Sequence, residues 1–164
     1  MQKADLPRPR WQNLVLFLIA FLILAADQLT KSWIRFFPEG QTVFRIGFFQ
    51  IAHIQNTGAA FGIFQGLSGV LAIFSMLGVA LILLYVFFLS SRFPAYDNRL
   101  NRVALGLILG GTAGNLIDRF RFGYVIDFID LHYWPAFNIA DQAIVVGTIL
   151  FAYSIIFLIR PIKQ

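Results

Sequence analysis

The sequence predicts an all-α integral membrane protein: four transmembrane helices with a small β-rich segment outside the membrane. Three observations carry that expectation. Apolar residues make up 59% of the 164 and charged residues only 13%, against about 45–50% and about 25% in soluble domains; too few polar side chains exist to coat a water-facing surface. The apolar residues fall in four long runs separated by polar stretches. The basic residues are scattered between those runs and do not cluster, so the net charge of +5 reads as membrane topology and no nucleic-acid partner is expected. Disorder needs the opposite balance of hydrophobicity and charge. There is no Cys, which removes disulfides, thiolate-bound metals, thiol catalysis and lipidation of the chain's own Cys.

The first run, from Leu14 to Ala26, continues through Asp27-Gln28-Leu29-Thr30-Lys31 to Ile34. It is read as an uncleaved span: three more runs follow, and no clean small-x-small cleavage site precedes Asp27. The second run covers 67–89 without a charge, the third 103–117, and the fourth 139–159. A helix needs about 20 residues to cross about 30 Å of hydrocarbon. The second and fourth meet that length, whereas the first and third do so only if their polar outer ends also lie in the membrane. The expected spans are 12–34, 67–90, 103–120 and 138–159, in one membrane domain covering 1–164.

Between the first two spans, residues 36–64 are different. Thr42 to Ile46 and Phe48 to Ile54 are β-prone and flank Gly47, which predicts a small hairpin or sheet. Its aromatic residues place it on the membrane surface. Asn56-Thr57-Gly58-Ala59-Ala60-Phe61-Gly62 then forms a small-residue turn.

Orientation follows from the basic residues. Lys3, Arg8, Arg10, Arg92, Arg99, Arg102, Arg160 and Lys163 fall on one side if all four runs span, and excess Lys and Arg marks the cytoplasm. Both termini are then cytoplasmic. Asp27, Glu39, Asp118, Asp127, Asp130 and Asp141 gather in the outer half.

Ionisable groups in a membrane are expensive, so each needs a partner or a task. Asp27 and Lys31 have the spacing of an ion pair on one helical face, at the membrane edge; Asp27 could also orient a neighbouring backbone. Gly106, Gly110 and Gly114 form a small-residue stripe that lets another helix approach closely. Asn115, Asp118 and Arg119 follow it on one face, with Asp118 and Arg119 a candidate mutually neutralising pair. Asp141 opens the last span, where the helix dipole favours an acid. Asp127 lies among large apolar residues, on a stretch expected to be re-entrant. Two such acids facing each other would share one proton, and the pair could hydrolyse a peptide without metal or nucleophilic side chain. Asp130 is expected to be a solvated interface acid. His53 and His132 are expected to make interfacial hydrogen bonds; no H-E-x-x-H run, G-x-S-x-G elbow or S-x-x-K pair exists, and neither metal nor cofactor is expected. An ion pathway fits less well, because the acids sit at one outer level with no inverted repeat.

Five segments in this order resemble the lipoprotein signal peptidases, signal peptidase II, which are bacterial membrane aspartic endopeptidases. They are Asp27-Gln28-Leu29-Thr30-Lys31, Asn56-Thr57-Gly58-Ala59-Ala60-Phe61, the stretch from Gly110 to Arg119, Val125-Ile126-Asp127-Phe128, and Phe137-Asn138-Ile139-Ala140-Asp141. The resemblance covers about Asp27 to Gly147. It implies removal of the signal peptide from diacylglyceryl-modified prolipoproteins just before the lipidated Cys. It maps the catalytic acids onto Asp127 and Asp141 and substrate-binding or supporting roles onto Asn56, Gly58, Asn115, Arg119 and Asn138. Asp27, Lys31 and Asp118 become structural. It also implies a β-rich cradle, a loop over the active site, a cell-membrane location with the site at the outer leaflet, and lipid-modified prolipoproteins and membrane lipids as partners of a monomer. Many members carry Ser where this chain has Gln142. One residue is about 100° of helical rotation, so Gln142 is expected to point away from the two acids. Gly110 and Gly114 are also expected to leave room for acyl chains, unless they serve only to pack helices.

Overall fold

Caps and glycines, more than apolar length, decide where the helices start, stop and touch. The computed structural model describes residues 11–59, 63–93 and 97–158. The expectations for Lys3, Arg8, Arg10, Ala60, Phe61, Gly62, Pro94, Arg160 and Lys163 lie outside the described residues. In chain order the elements are α1 (Trp11–Ile34), β1 (Thr42–Ile46), β2 (Phe49–Asn56), α2 (Ser68–Leu84), α3 (Arg99–Phe122), β3 (Val125–Asp130) and α4 (Ile139–Tyr153). Two π-helical turns, Tyr85–Leu89 and Ser154–Leu158, prolong α2 and α4. All four helices are long and apolar enough to cross a membrane.

The third helix is longer than its apolar run predicts. Asn98 caps its start by accepting a hydrogen bond from the Asn101 N–H, and Gly123 ends it with φ 79°, a conformation that costs other residues. These caps stretch α3 to 24 residues, or about 36 Å.

α3 is the centre of the bundle, with 56% of its span buried against 11–22% in the others. The glycine stripe explains how. A Cβ on Gly106, Gly110 or Gly114 would come within 2.7 Å of Leu16 O, 2.6 Å of Ala20 O and 2.5 Å of Asp27 Oδ2, so α1 lies directly on that stripe. Gly110 and Gly114 therefore seat a helix and leave no space for acyl chains. Gly111, one position round the helix, meets the Ala140 carbonyl, and Gly147 of α4 meets Ala104 O in return. Leu16, Ala20, Val86, Leu105 and Leu109 fill the remaining core between α1, α2 and α3.

The β-prone segment forms a sheet as expected, with one strand more. The order is β1-β2-β3, all antiparallel. Gly47, at φ 57°, turns β1 into β2. The stretch expected to re-enter the membrane is instead β3, pairing Ile54 with Asp127 and Asn56 with Val125. Its Val-Ile-Asp-Phe-Ile-Asp alternation is a strand pattern, and Ile126 and Phe128 pack on Ile34 at the end of α1. The sheet thus sits on the C-terminal end of α1 and holds Asp127 over the bundle.

Candidate active site

Asp141 is fixed by the way α4 begins. Asn138 is the N-cap: its Oδ1 accepts from the Asp141 N–H at 2.9 Å, while Asp141 Oδ2 accepts from the Asn138 N–H at 3.2 Å. This reciprocal box supplies the bland explanation for an acid in the first turn. It uses only one Asp141 oxygen. Oδ1 accepts from Asn115 Nδ2 at 2.7 Å, across from α3.

Asp127 comes to the same place from the sheet. It is 2% exposed. Asn56 Nδ2 donates to its Oδ2 at 2.8 Å and Asn138 Nδ2 to its Oδ1, also at 2.8 Å. The strand itself is gripped on both sides of the preceding peptide: the Ile126 N–H donates to Asp118 Oδ2, and Asn138 Nδ2 donates to the Ile126 carbonyl. Asn138 therefore touches both acids, one through its side chain and one through its backbone. Burial, and then the charge of Asp141, push the Asp127 carboxyl up to about 7, against the pull of Asn56, Lys31 and Asn138.

Beneath this pair lies a sealed charge cluster. Lys31 Nζ contacts Asp27 Oδ2 at 2.8 Å and Asp118 Oδ2 at 3.1 Å, with all three side chains fully buried. Arg35 adds a second cation, 2.7 Å from Asp118 Oδ1. Asp27 and Lys31 pair as the spacing predicts, with both side chains sealed inside the bundle. Asp27 Oδ1 also accepts from the Ala140 N–H at 3.1 Å, so it does orient a neighbouring backbone, the first turn of α4. The expected Asp118–Arg119 pair is replaced: Asp118 faces Lys31 and Arg35, because adjacent helical residues diverge by about 100°. Arg35 and Gln28 were missed by sequence reasoning. Arg35 had a signal, since 27, 31 and 35 repeat every four residues along one stripe of α1 and the turn that prolongs it, where the Arg35 N–H still bonds the Lys31 carbonyl. Gln28 Nε2 bonds Asp27, Asp118 and the Gly114 carbonyl together.

Above the pair is a cavity of about 250 Å³. Asp127, Asp141, Asn56, Asn115 and Arg119 supply its polar wall, and Ile144, Val145, Phe137 and Trp134 its apolar one. Ala59 from one loop and Pro135-Ala136 from another reach over it. Arg119 turns toward this space, its Nη2 donating to the Gly58 carbonyl at 3.4 Å while its buried Nε has no partner. Gly58 is needed where it stands: a Cβ there would lie 2.7 Å from Ile63 O. Its N–H donates to Asn56 Oδ1, tying that loop to the residue that holds Asp127. Gln142 lines the cavity too, against expectation, because the cavity wraps around the first turn of α4 and admits neighbouring positions. His53 and Asp130 lie apart from it: His53 is buried with Nδ1 2.7 Å from the Phe37 carbonyl, and Asp130 accepts from Gln50 and from the His132 N–H. His132 Nε2 lies 3.1 Å from Arg45 on the surface.

Comparison with known proteins agrees with this geometry. The sequence model of a family described as signal peptidase (SPase) II matches residues 19–157. The chain belongs to the signal peptidase II family. A lipoprotein signal peptidase of Moorella thermoacetica is 43% identical over 141 residues, covering 85% of this chain and 91% of the relative. One from Dehalococcoides mccartyi is 48% identical over 139 residues, covering 84% and 86%. A solved bacterial membrane enzyme superposes with a TM-score of 0.78 at 29% identity, covering 91% of this chain and 93% of the other. As a signal peptidase II, the chain is a multi-pass membrane peptidase, and the matched region takes in every residue of both polar clusters.

Proposed function

We propose that Asp127 and Asp141 act as a proton-sharing pair that removes signal peptides from diacylglyceryl-modified prolipoproteins, cutting before the lipidated Cys. The observation that carries this reading is the convergence of the two acids, from a strand and from a helix start, on Asn138 and on one cavity. Two carboxyls and one guanidinium, that of Arg119, line it. With a single proton on the acids the set is neutral. Asp127 holds that proton and Asp141 takes one from water, which attacks the scissile carbonyl. Asp127 donates to the carbonyl oxygen as it becomes tetrahedral. Collapse breaks the C–N bond: the proton gathered by Asp141 passes to the departing amine of the lipidated Cys, and a hydroxyl proton of the tetrahedral carbon returns to Asp127 as the new carboxyl forms. Asn115 and Asn138 keep the acids in place, and Arg119, Asn56 and the Gly58 loop bind substrate backbone.

The enzyme works in the bacterial cytoplasmic membrane with both termini inside and the site at the outer leaflet. Exposed Phe36, Phe44, Phe48 and Trp134 on the sheet side support an interfacial depth for Asp127. The acyl chains hold the substrate at that depth, so much of the entropy of alignment is met before the enzyme is reached. A monomer is the state this reading favours, because one bundle brings Asp127, Asp141, Asn115 and Arg119 to the same cavity. The test is cleavage of a lipidated precursor in detergent. Asp127→Asn and Asp141→Asn are each expected to lose about 10²- to 10⁴-fold in rate. Turnover near wild type in either variant refutes the pair.

A further inference from the structure

Lys31 offers three N–H groups and meets three acceptors: Asp27 Oδ2 and Asn115 Oδ1 at 2.8 Å and Asp118 Oδ2 at 3.1 Å. Two of these are counter-charges, and either would satisfy the need to neutralise a buried cation. The third is an uncharged amide that leads to the active site. An ammonium has no acceptor, so chemistry fixes which end of Asn115 faces it: the oxygen. That oxygen also accepts from Asn138 Nδ2 at 3.2 Å, which fills both its lone pairs. The nitrogen of Asn115 must therefore point the other way, where it donates to Asp141 Oδ1 at 2.7 Å. Were the amide reversed, Asp141 would face an oxygen and would need a proton of its own to bond it.

We propose that Lys31 is a positioning residue for the hydrolysis: through Asn115 it presents an N–H to Asp141, keeping Asp141 free of the shared proton and leaving that proton on Asp127. This rests on the proposed pairing of the two acids. The charged groups around the relay are Asp27 from α1, Arg35 from the turn that follows it, Asp118 and Arg119 from α3, Asp127 from β3 and Asp141 from α4. Among them Lys31 alone is bonded to Asn115 Oδ1.

Removing Lys31 by itself strands Asp27, so the test uses Asp27→Asn/Lys31→Met, which takes out one charge of each sign and leaves Asp118 with Arg35. Rates on a lipidated precursor in detergent are measured across pH, beside a thermal melt. The expected result is a folded enzyme whose KM is little changed and whose kcat is lower by about 10- to 100-fold, the equivalent of one hydrogen bond to a charged group. The acidic limb of its rate profile moves to higher pH, because Asp141 now takes up a proton more readily. A profile that overlays wild type overturns the proposal, whatever the melt shows, because a purely structural Lys31 lowers stability without moving the limb. If this pair does not melt cooperatively, Asp27→Asn/Lys31→Leu, which likewise offers Asn115 no donor, replaces it, and the same shift or its absence decides. A third readout needs no Lys31 variant. The infrared band of a protonated carboxyl near neutral pH should vanish in Asp127→Asn and persist in Asp141→Asn; the reverse overturns the assignment. Full activity in Asp127→Asn or Asp141→Asn refutes instead the pairing itself, so the two failures are distinguishable.

Discussion

Two clusters of acids lie one above the other at one end of this bundle, and they are built on opposite rules. The lower one, Asp27, Lys31, Asp118 and Arg35, has two charges of each sign, and every side chain except Arg35 is fully buried. The upper one, Asp127 and Asp141 with Arg119, has an excess acid and opens on a cavity of about 250 Å³. A balanced, closed set of charges is a fastener. An unbalanced set facing a space must carry a proton to be neutral, and a carried proton is what acid–base chemistry uses. The amides of Asn115 and Asn138 join the two clusters, so the rigid one sets the geometry of the reactive one.

The comparison is broken most severely by removing the acids of the upper cluster, the proposed proton-sharing pair. Asp141→Asn retains an oxygen able to cap α4, so the loss of about 10²- to 10⁴-fold in cleavage should come with little change in melting temperature. Lys31→Met should add a loss of stability to its loss of rate. It leaves buried carboxylates without their cation and should lower stability by about 3–5 kcal/mol, read from unfolding in detergent.

Asp127→Asn sharpens the contrast further, because it should stabilise the protein while inactivating it. The folded state holds the Asp127 proton more tightly than an unfolded chain would, with the carboxyl raised from 3.8 to about 7. A raised acid is most compatible with folding below its unfolded value, and its stability contribution is lost as pH rises from about 4 to about 7. The variant should therefore gain melting temperature over wild type at alkaline pH, and the gap should close toward acid. A gap independent of pH would contradict it. The smallest effect is steric: Gly114→Ala places a methyl 2.5 Å from Asp27 Oδ2 and should cost about 1–3 kcal/mol, whereas Gly69→Ala meets nothing and should be silent.

The residues disclosed the two clusters unequally. Asp27 and Lys31 could be paired from their spacing, because both lie on one helix. Asp127 and Asp141 could be suspected from their apolar neighbourhoods, and the family motifs named them. What stayed hidden was whatever depends on a contact between elements. Asp118 pairs by sequence with its neighbour Arg119, when its real partners, Lys31 and Arg35, lie on α1 and in the turn after it. Val125 to Asp130 was read as re-entrant, because its pairing partner β2 is distant in sequence. The ends of α3 were missed because Asn98 and Gly123 act through caps and not through hydrophobicity. Gln142 was turned away from the site by counting degrees, when the cavity surrounds that turn of helix.

The central claim is that one proton, resident on Asp127, drives the cleavage. The most direct measurement is kcat/KM of the wild type on a lipidated precursor across pH. The account predicts activity that declines above about 7, as Asp127 surrenders its proton. A rate that stays level through neutrality and keeps rising in alkali would contradict it.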